Sequence, residues 1–347
     1  MLTLIYFVLI LGVIVLVHEF GHFIFSKLFG VYVHEFSIGM GPAIFQRQGK
    51  NKETTYSLRA IPIGGYCALA GEDDEMDKDV PKDRCLQNKP IWQRFIIMVA
   101  GAMNNFILAV IILLLIATFA GAPNLDPIIG SVETGGPAEQ AGLEAGDRVT
   151  RINNDKVSTT DDLAIFLQLA DMSKPVTFYV TKEDGTETTY EVTPIAEEVD
   201  GTTTYRIGVT IDNEVRHDVL SVLSYTARKT SSLFKQMIIS FQALFTGRVG
   251  FDQLSGPVGI YQIVGAQSET GLANMFYLVA LLSVNVGFLN LLPIPAMDGG
   301  RIFLLLIELI KRKPVKPETE NLVNTVGFIL LLALMLLVTI NDVVKLF

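Results

Sequence analysis

The sequence predicts a polytopic α-helical membrane protein with four transmembrane helices, a membrane-associated β-hairpin region and one extracytoplasmic α/β domain. Three observations predict it. Half of the 347 residues are hydrophobic and mean hydropathy is +0.42, too apolar for an ordinary soluble chain of this length. The apolar residues gather in four stretches, each near the ~20 residues a helix needs to cross a bilayer. The charge is lopsided: 121–216 holds eighteen Asp and Glu against seven Lys and Arg, so the rest of this chain of net charge −9 is slightly basic. No basic stripe points to nucleic acid. Cys67 and Cys85 lack the spacing of a C-x-x-C pair and read as free thiols.

The first segment, 1–30, holds the first span, Leu2–Phe25, uncharged from Leu2 to Val17. Met1-Leu2-Thr3 offers no positive n-region and no small-x-small cleavage site follows, so the run reads as a retained span. At its far end stands His18-Glu19-Phe20-Gly21-His22. Histidines at i and i+4 share a helix face, where both imidazoles can ligate one Zn²⁺, with the intervening Glu placed to act on a water at the metal. A lone His on an apolar face is usually a satisfied core residue. Here two of the chain's four histidines flank an acid beside a membrane span, where ionisable groups are costly and functional by default. The metal reading is therefore preferred, and it needs a third ligand from elsewhere.

Segment 31–95 alternates short apolar runs with glycines, as in Phe36–Pro42 and Tyr56–Tyr66, which fits short strands better than helix. A solvated hairpin is the competing reading. Such strands also offer an edge to an extended peptide. The charged run 72–79 reads as a solvated loop. The second span, Ile96–Ala120, carries Asn104 and Asn105, amides that need partners in lipid. Helix–helix bonding and a part in the chemistry are equal readings of them.

The acidic segment 121–216 reads as one α/β domain: a strand at 128–132, a short helix at 137–143 ending on glycine, a strand from 146, a helix at 161–169, and paired strands at 176–180 and 188–192. Its run Pro137-Ala138-x-x-Ala141-Gly142-Leu143-x-x-Gly146-Asp147-x-Val149-x-x-Ile152-Asn153 resembles a PDZ domain. In 217–271, apolar residues recur at helical spacing with Arg228, Lys229 and Lys235 between them. Core packing and lying along a membrane surface both fit, and the second is preferred for a stretch that leads into a span.

Segment 272–300 holds the third span, Met275–Leu292, which runs into Pro293-Ile294-Pro295-Ala296-Met297-Asp298. Two prolines stop the helix, which membranes tolerate only where protein or water covers the break. Asp298 has two readings, N-cap of a helix over 301–310 or third metal ligand. The ligand reading prevails because His18 and His22 fall on the same side. Segment 301–347 adds a cytoplasmic helix and the fourth span, Leu322–Ile340. Lys and Arg cluster in the connections after the first and third spans, which places both in the cytoplasm and the acidic domain outside.

Taken together, His18-Glu19-x-x-His22, Asn290-x-x-Pro293-x-x-x-x-Asp298-Gly299, the single PDZ-like run and Leu254–Ile260 resemble the site-2 proteases, intramembrane zinc metalloproteases. The resemblance covers essentially the whole chain. It is strongest to the bacterial branch typified by regulator of sigma-E protease, in its single-PDZ, Gram-positive-like form. It implies Zn²⁺ held by His18, His22 and Asp298, Glu19 as catalytic base, and Asn285, Asn290, Pro293 and Pro295 facing the substrate. The implied partners are transmembrane proteins such as anti-sigma factors, or remnant signal peptides, within the cell membrane. Met297, Met40 and Ala102 stand where members usually carry Leu, Phe and Pro, and none of these removes a ligand. A divalent-metal transporter or a catalytically silent PDZ scaffold are the alternatives.

Overall fold

The computed structural model describes residues 2–71, 79–199, 202–250, 253–315 and 317–345. They form two compact units, Met1–Ile112 with Asp252–Phe347, and Leu113–Phe251, so the second is inserted in the chain of the first. Of the charged run 72–79, all but Asp79 lies outside the described residues.

Helix α1 (Leu2–Leu28) is apolar on all sides but buries only a stripe of Ile10, Ile14, His18, Gly21, His22 and Ser26, which recur three and four apart. Leu2, Leu9, Val13 and Phe20 stay exposed, as on a helix whose other faces meet lipid. Strands β1 (Val33–Gln48) and β2 (Thr55–Leu69) form one hairpin that folds back on itself. Residues 35–38 lie between 65–68 on one side and 55–58 on the other, while 43–48 pair with 55–59. The bend falls at Gly39 and Gly41, whose φ values of 84° and 81° suit glycine alone. Exposed Ile38, Met40, Ile44, Phe45 and Ile61 give the hairpin an apolar surface, unlike a solvated one. Helix α2 (Ile91–Ala120) starts directly after Pro90, five residues before the apolar boundary, because Trp92 and Arg94 continue it beyond the span proper.

The inserted unit runs β3 (Ala122–Pro123), β4 (Ile129–Val132), α3 (Pro137–Ala141), β5 (Arg148–Ile152), β6 (Asp155–Lys156), α4 (Thr160–Leu169), β7 (Val176–Thr181), β8 (Glu187–Val192), β9 (Ile195–Val199), β10 (Thr202–Arg206), β11 (Val209–Ile211), β12 (Val215–Arg216) and α5 (Val219–Phe245). A sheet of order β6-β5-β7-β8 accompanies the pairs β4–β11, β9–β10 and β3–β12. Val176, Phe178 and Val180 alternate inward along β7 and join Ile129, Leu143 and Ile152 in the core. Thr159 and Asp162 close a capping box on α4. On α5, Lys229 meets Asp161 at 2.6 Å, Lys235 meets Asp162 at 2.7 Å and Arg228 meets Asp126 at 2.8 Å. Those three cations, expected against a membrane surface, are matched by carboxylates of their own unit.

The first unit resumes with α6 (Pro257–Glu269), α7 (Leu272–Leu291), α8 (Asp298–Lys311) and α9 (Pro317–Val344). Four described helices, α1, α2, α7 and 318–344 of α9, are long and apolar enough to cross a membrane, as the hydropathy pattern predicts. Val31, Val33, Leu69, Leu86, Ile97 and Leu305 form a core between the end of α1, the base of the hairpin, α2 and α8. Arg94 Nη1 donates to both carboxylate oxygens of Glu308, each at 3.0 Å, and ties α8 to α2. These contacts fix the elements that carry the site.

Candidate metal centre

His18 and His22 belong to the buried stripe of α1 and are only 6% and 8% exposed. Two glycines let α2 come close enough to shape their surroundings. A Cβ on Gly21 would lie 2.6 Å from the Ala100 carbonyl carbon, and one on Gly101 would lie 2.8 Å from His18 Cε1 and collide with the His22 ring. His22 Nδ1 sits 2.8 Å from the main-chain oxygen of Ile97, which can only accept, so Nδ1 carries the proton and Nε2 is left as the ligating nitrogen.

Asp298 arrives from the other side of the chain. After α7 the prolyl segment folds over the first turn of α8, with Ile294 N donating to Leu292 O at 2.6 Å and Ala296 held at φ 68°. Any side chain at Gly299 or Gly300 would run into that segment's backbone. The helix begins at Asp298 itself, three residues earlier than predicted. Met297 occupies the N-cap and makes no side-chain cap bond. The N-cap reading of Asp298 therefore fails, since its carboxylate is turned elsewhere.

It is turned to the imidazoles. Asp298 Oδ2 lies 3.0 Å from His18 Nε2 and 3.3 Å from His22 Nε2, and the two Nε2 atoms are 3.2 Å apart. These three residues are a group able to hold a metal ion. Tetrahedral zinc with bonds of about 2.0–2.1 Å spaces its ligand atoms about 3.3 Å apart, so the triangle has the size of one face of such a site. Oδ2 is buried and has no hydrogen-bond partner of acceptable geometry. An orphaned carboxylate oxygen facing two imidazole nitrogens is what a shared cation would satisfy. The residues present fit zinc.

Glu19 follows His18 on α1, and its carboxylate accepts a hydrogen bond from the Cys67 main-chain N–H on β2. The substrate-facing candidates are spread along the broken span. Asn285 on α7 has a buried, unpartnered Oδ1. Asn290 is in the last turn of α7, Pro293 begins the covering segment, and Pro295 packs on Gly327 of α9. Ala296 N also donates to Asn324 of α9 at 3.3 Å. A cavity of about 380 Å³ opens beside Asp298, lined among others by Arg301, Asn324 and Thr325. Sequence reasoning missed Gly101, Asn324, Gly327 and the Cys67 amide. Only Gly101 left a usable signal, standing four residues before Asn105 and so on the same helical face.

The pattern of Peptidase family M50 matches residues 6–334. The chain is 32% identical to regulator of sigma-W protease RasP of Bacillus subtilis, over 99% of each chain. It is 33% identical to probable protease eep of Enterococcus faecalis over the full length of both. A putative zinc metalloprotease of Clostridium perfringens is 38% identical over 98% of each.

Proposed function

The chain belongs to Peptidase family M50, the site-2 proteases, and is an intramembrane zinc metalloprotease; from that premise we propose that His18, His22 and Asp298 hold the zinc and that Glu19 is the catalytic base. The single observation that carries this is the triangle of 3.0, 3.2 and 3.3 Å between the three donor atoms. Family membership also sets aside the transporter and scaffold readings.

Zinc, when bound, supplies Lewis acidity to a scissile carbonyl and to the attacking water. Glu19 takes the proton from that water and delivers it to the leaving amine, a role for which its place beside His18 suits it. The Cys67 amide donates to that carboxylate and helps to hold it in place. A transmembrane helix hides its carbonyls in its own hydrogen bonds, so the substrate must unwind before cleavage. Asn285, with its unpartnered oxygen, and Asn290 are suited to bind the freed backbone. Pro293 and Pro295 have no N–H to donate and end α7 above the site, and the hairpin edge offers a strand for the substrate to pair with.

The substrates in this reading are transmembrane segments of anti-sigma factors or remnant signal peptides. The inserted unit reads as a PDZ domain from its Pro137–Asn153 run, and the Lys and Arg of the connections after the first and third spans favour its lying outside the cytoplasm. It admits substrates whose outer part has been removed.

Glu19→Gln tests the core of this reading. The variant is expected to bind zinc as tightly as the wild type while cleavage of a transmembrane reporter is lost. Retained turnover would show that Glu19 is not the base.

A further inference from the structure

The two proposed histidine ligands are supported unequally. His22 has its acceptor in Ile97 O. His18 presents Nε2 to the same point as His22, so its Nδ1 must also carry a proton and needs an acceptor of its own. The atom facing it is Nδ2 of Asn105 at 3.4 Å, which sets a donor against a donor. Meanwhile Asn105 Oδ1 is buried with no partner, on a residue that is 0% exposed. The oxygen and nitrogen of a side-chain amide have nearly the same shape, and their assignment rests on the hydrogen bonds they make. A half-turn of the Asn105 amide brings Oδ1 to His18 Nδ1, ends the confrontation and gains one hydrogen bond.

Resting on the zinc-ligand reading above, we infer that Asn105 is a positioning residue whose side-chain oxygen accepts the Nδ1–H of His18 and so keeps Nε2 turned to the metal. The backbone is built to hold it there. Ser283 Oγ on α7 donates to the Asn105 main-chain oxygen at 2.8 Å, and Gly101, one turn earlier, lies against both imidazoles. The neighbouring amide does the ordinary work of joining helices: Asn104 Nδ2 donates to Val17 O at 3.2 Å. Adjacent asparagines on α2 thus divide the two readings that the sequence left equal.

Zinc affinity of the full-length protein in detergent, measured by competition with a chelator, tests this without reference to turnover. Asn105→Asp keeps an acceptor at either orientation, Asn105→Leu keeps only the volume. The expected result is zinc held about 10–100-fold more weakly by Asn105→Leu and within about threefold of wild type by Asn105→Asp. Equal weakening in both would mean that the amide donates, and unchanged affinity in Asn105→Leu would mean that it only fills space. Either overturns the inference alone. A wild-type chain that takes up no zinc overturns the ligand set, and the inference with it. Should a variant fail to fold, ¹⁵N-histidine spectra of the zinc-loaded protein decide, in a His34→Gln/His217→Gln background that leaves His18 and His22. Both Nδ1 atoms are expected to bear protons, and a bare Nδ1 on His18 overturns the inference.

Discussion

Gly101 touches both imidazoles of α1 so closely that a single methyl group there would occupy space taken by the His22 ring. Alanine is the better helix former by about 1 kcal/mol, so Gly101→Ala would be favourable in an exposed helix. Here the methyl meets the His22 ring, which is itself held by Ile97 O and cannot withdraw. Displacement by about 1 Å costs roughly a hundredfold in rate. Gly101→Ala is expected to lose most bound zinc and about that much reporter cleavage, with helix content by circular dichroism unchanged.

Asp342, in the final turns of α9, accepts from Gly256 N at 2.9 Å and Gly259 N at 2.8 Å and so caps α6 from another helix. It is 4% exposed. Removing a buried charged acceptor strands two amide donors, at about 1.5–3 kcal/mol. Asp342→Leu is expected to lower the melting temperature in detergent, and Asp342→Asn, which keeps an acceptor, by less.

In the inserted unit, Lys229 and Asp161 have side chains only 10% and 15% exposed. Breaking such a pair from one side leaves a buried charge, costing on the order of 3 kcal/mol, whereas replacing both partners with apolar groups costs far less. Asp161→Leu alone is expected to destabilise the protein more than Asp161→Leu with Lys229→Met, as read by thermal unfolding of the full chain.

Glu35 on β1 is pushed toward a higher pKa by partial burial, but hydrogen bonds from Ser57, Tyr66 and Arg59 outweigh this and hold it below its ordinary 4.5. A carboxylate lowered on folding stabilises the folded form above its unfolded pKa and loses that contribution as pH falls through the folded value. Protease cleavage within the hairpin should therefore rise as pH falls below about 4.5. Glu35→Gln should cleave readily at neutral pH and lose that dependence.

The spans and the cluster of His18, His22 and Asp298 were legible for one reason: each rests on a short local pattern. Leu2 to Val17 announces its helix by composition, and His18 with His22 by a four-residue spacing. Asp298 was reachable because two prolines mark a broken helix at membrane depth. The helix boundaries were not. α2 extends back to Ile91 and α8 to Asp298 because tertiary contacts, Arg94 with Glu308 among them, support turns that apolarity does not count. The doubling of residues 35–38 between two partners was equally hidden, since pairing across thirty residues leaves no local trace. Asn324 and Gly327 looked like ordinary span residues until Ala296 and Pro295 were seen against them.

The tether on Glu19 is a peptide amide and not a side chain. Residue 67 can therefore drift through nineteen of the twenty amino acids without the acid losing its anchor, and oxidation or alkylation of the Cys67 thiol leaves that anchor chemically intact. Proline is the one exchange that deletes it, so among substitutions that fit the packing of residue 67 against its core cluster, proline alone should cost the acid its anchor.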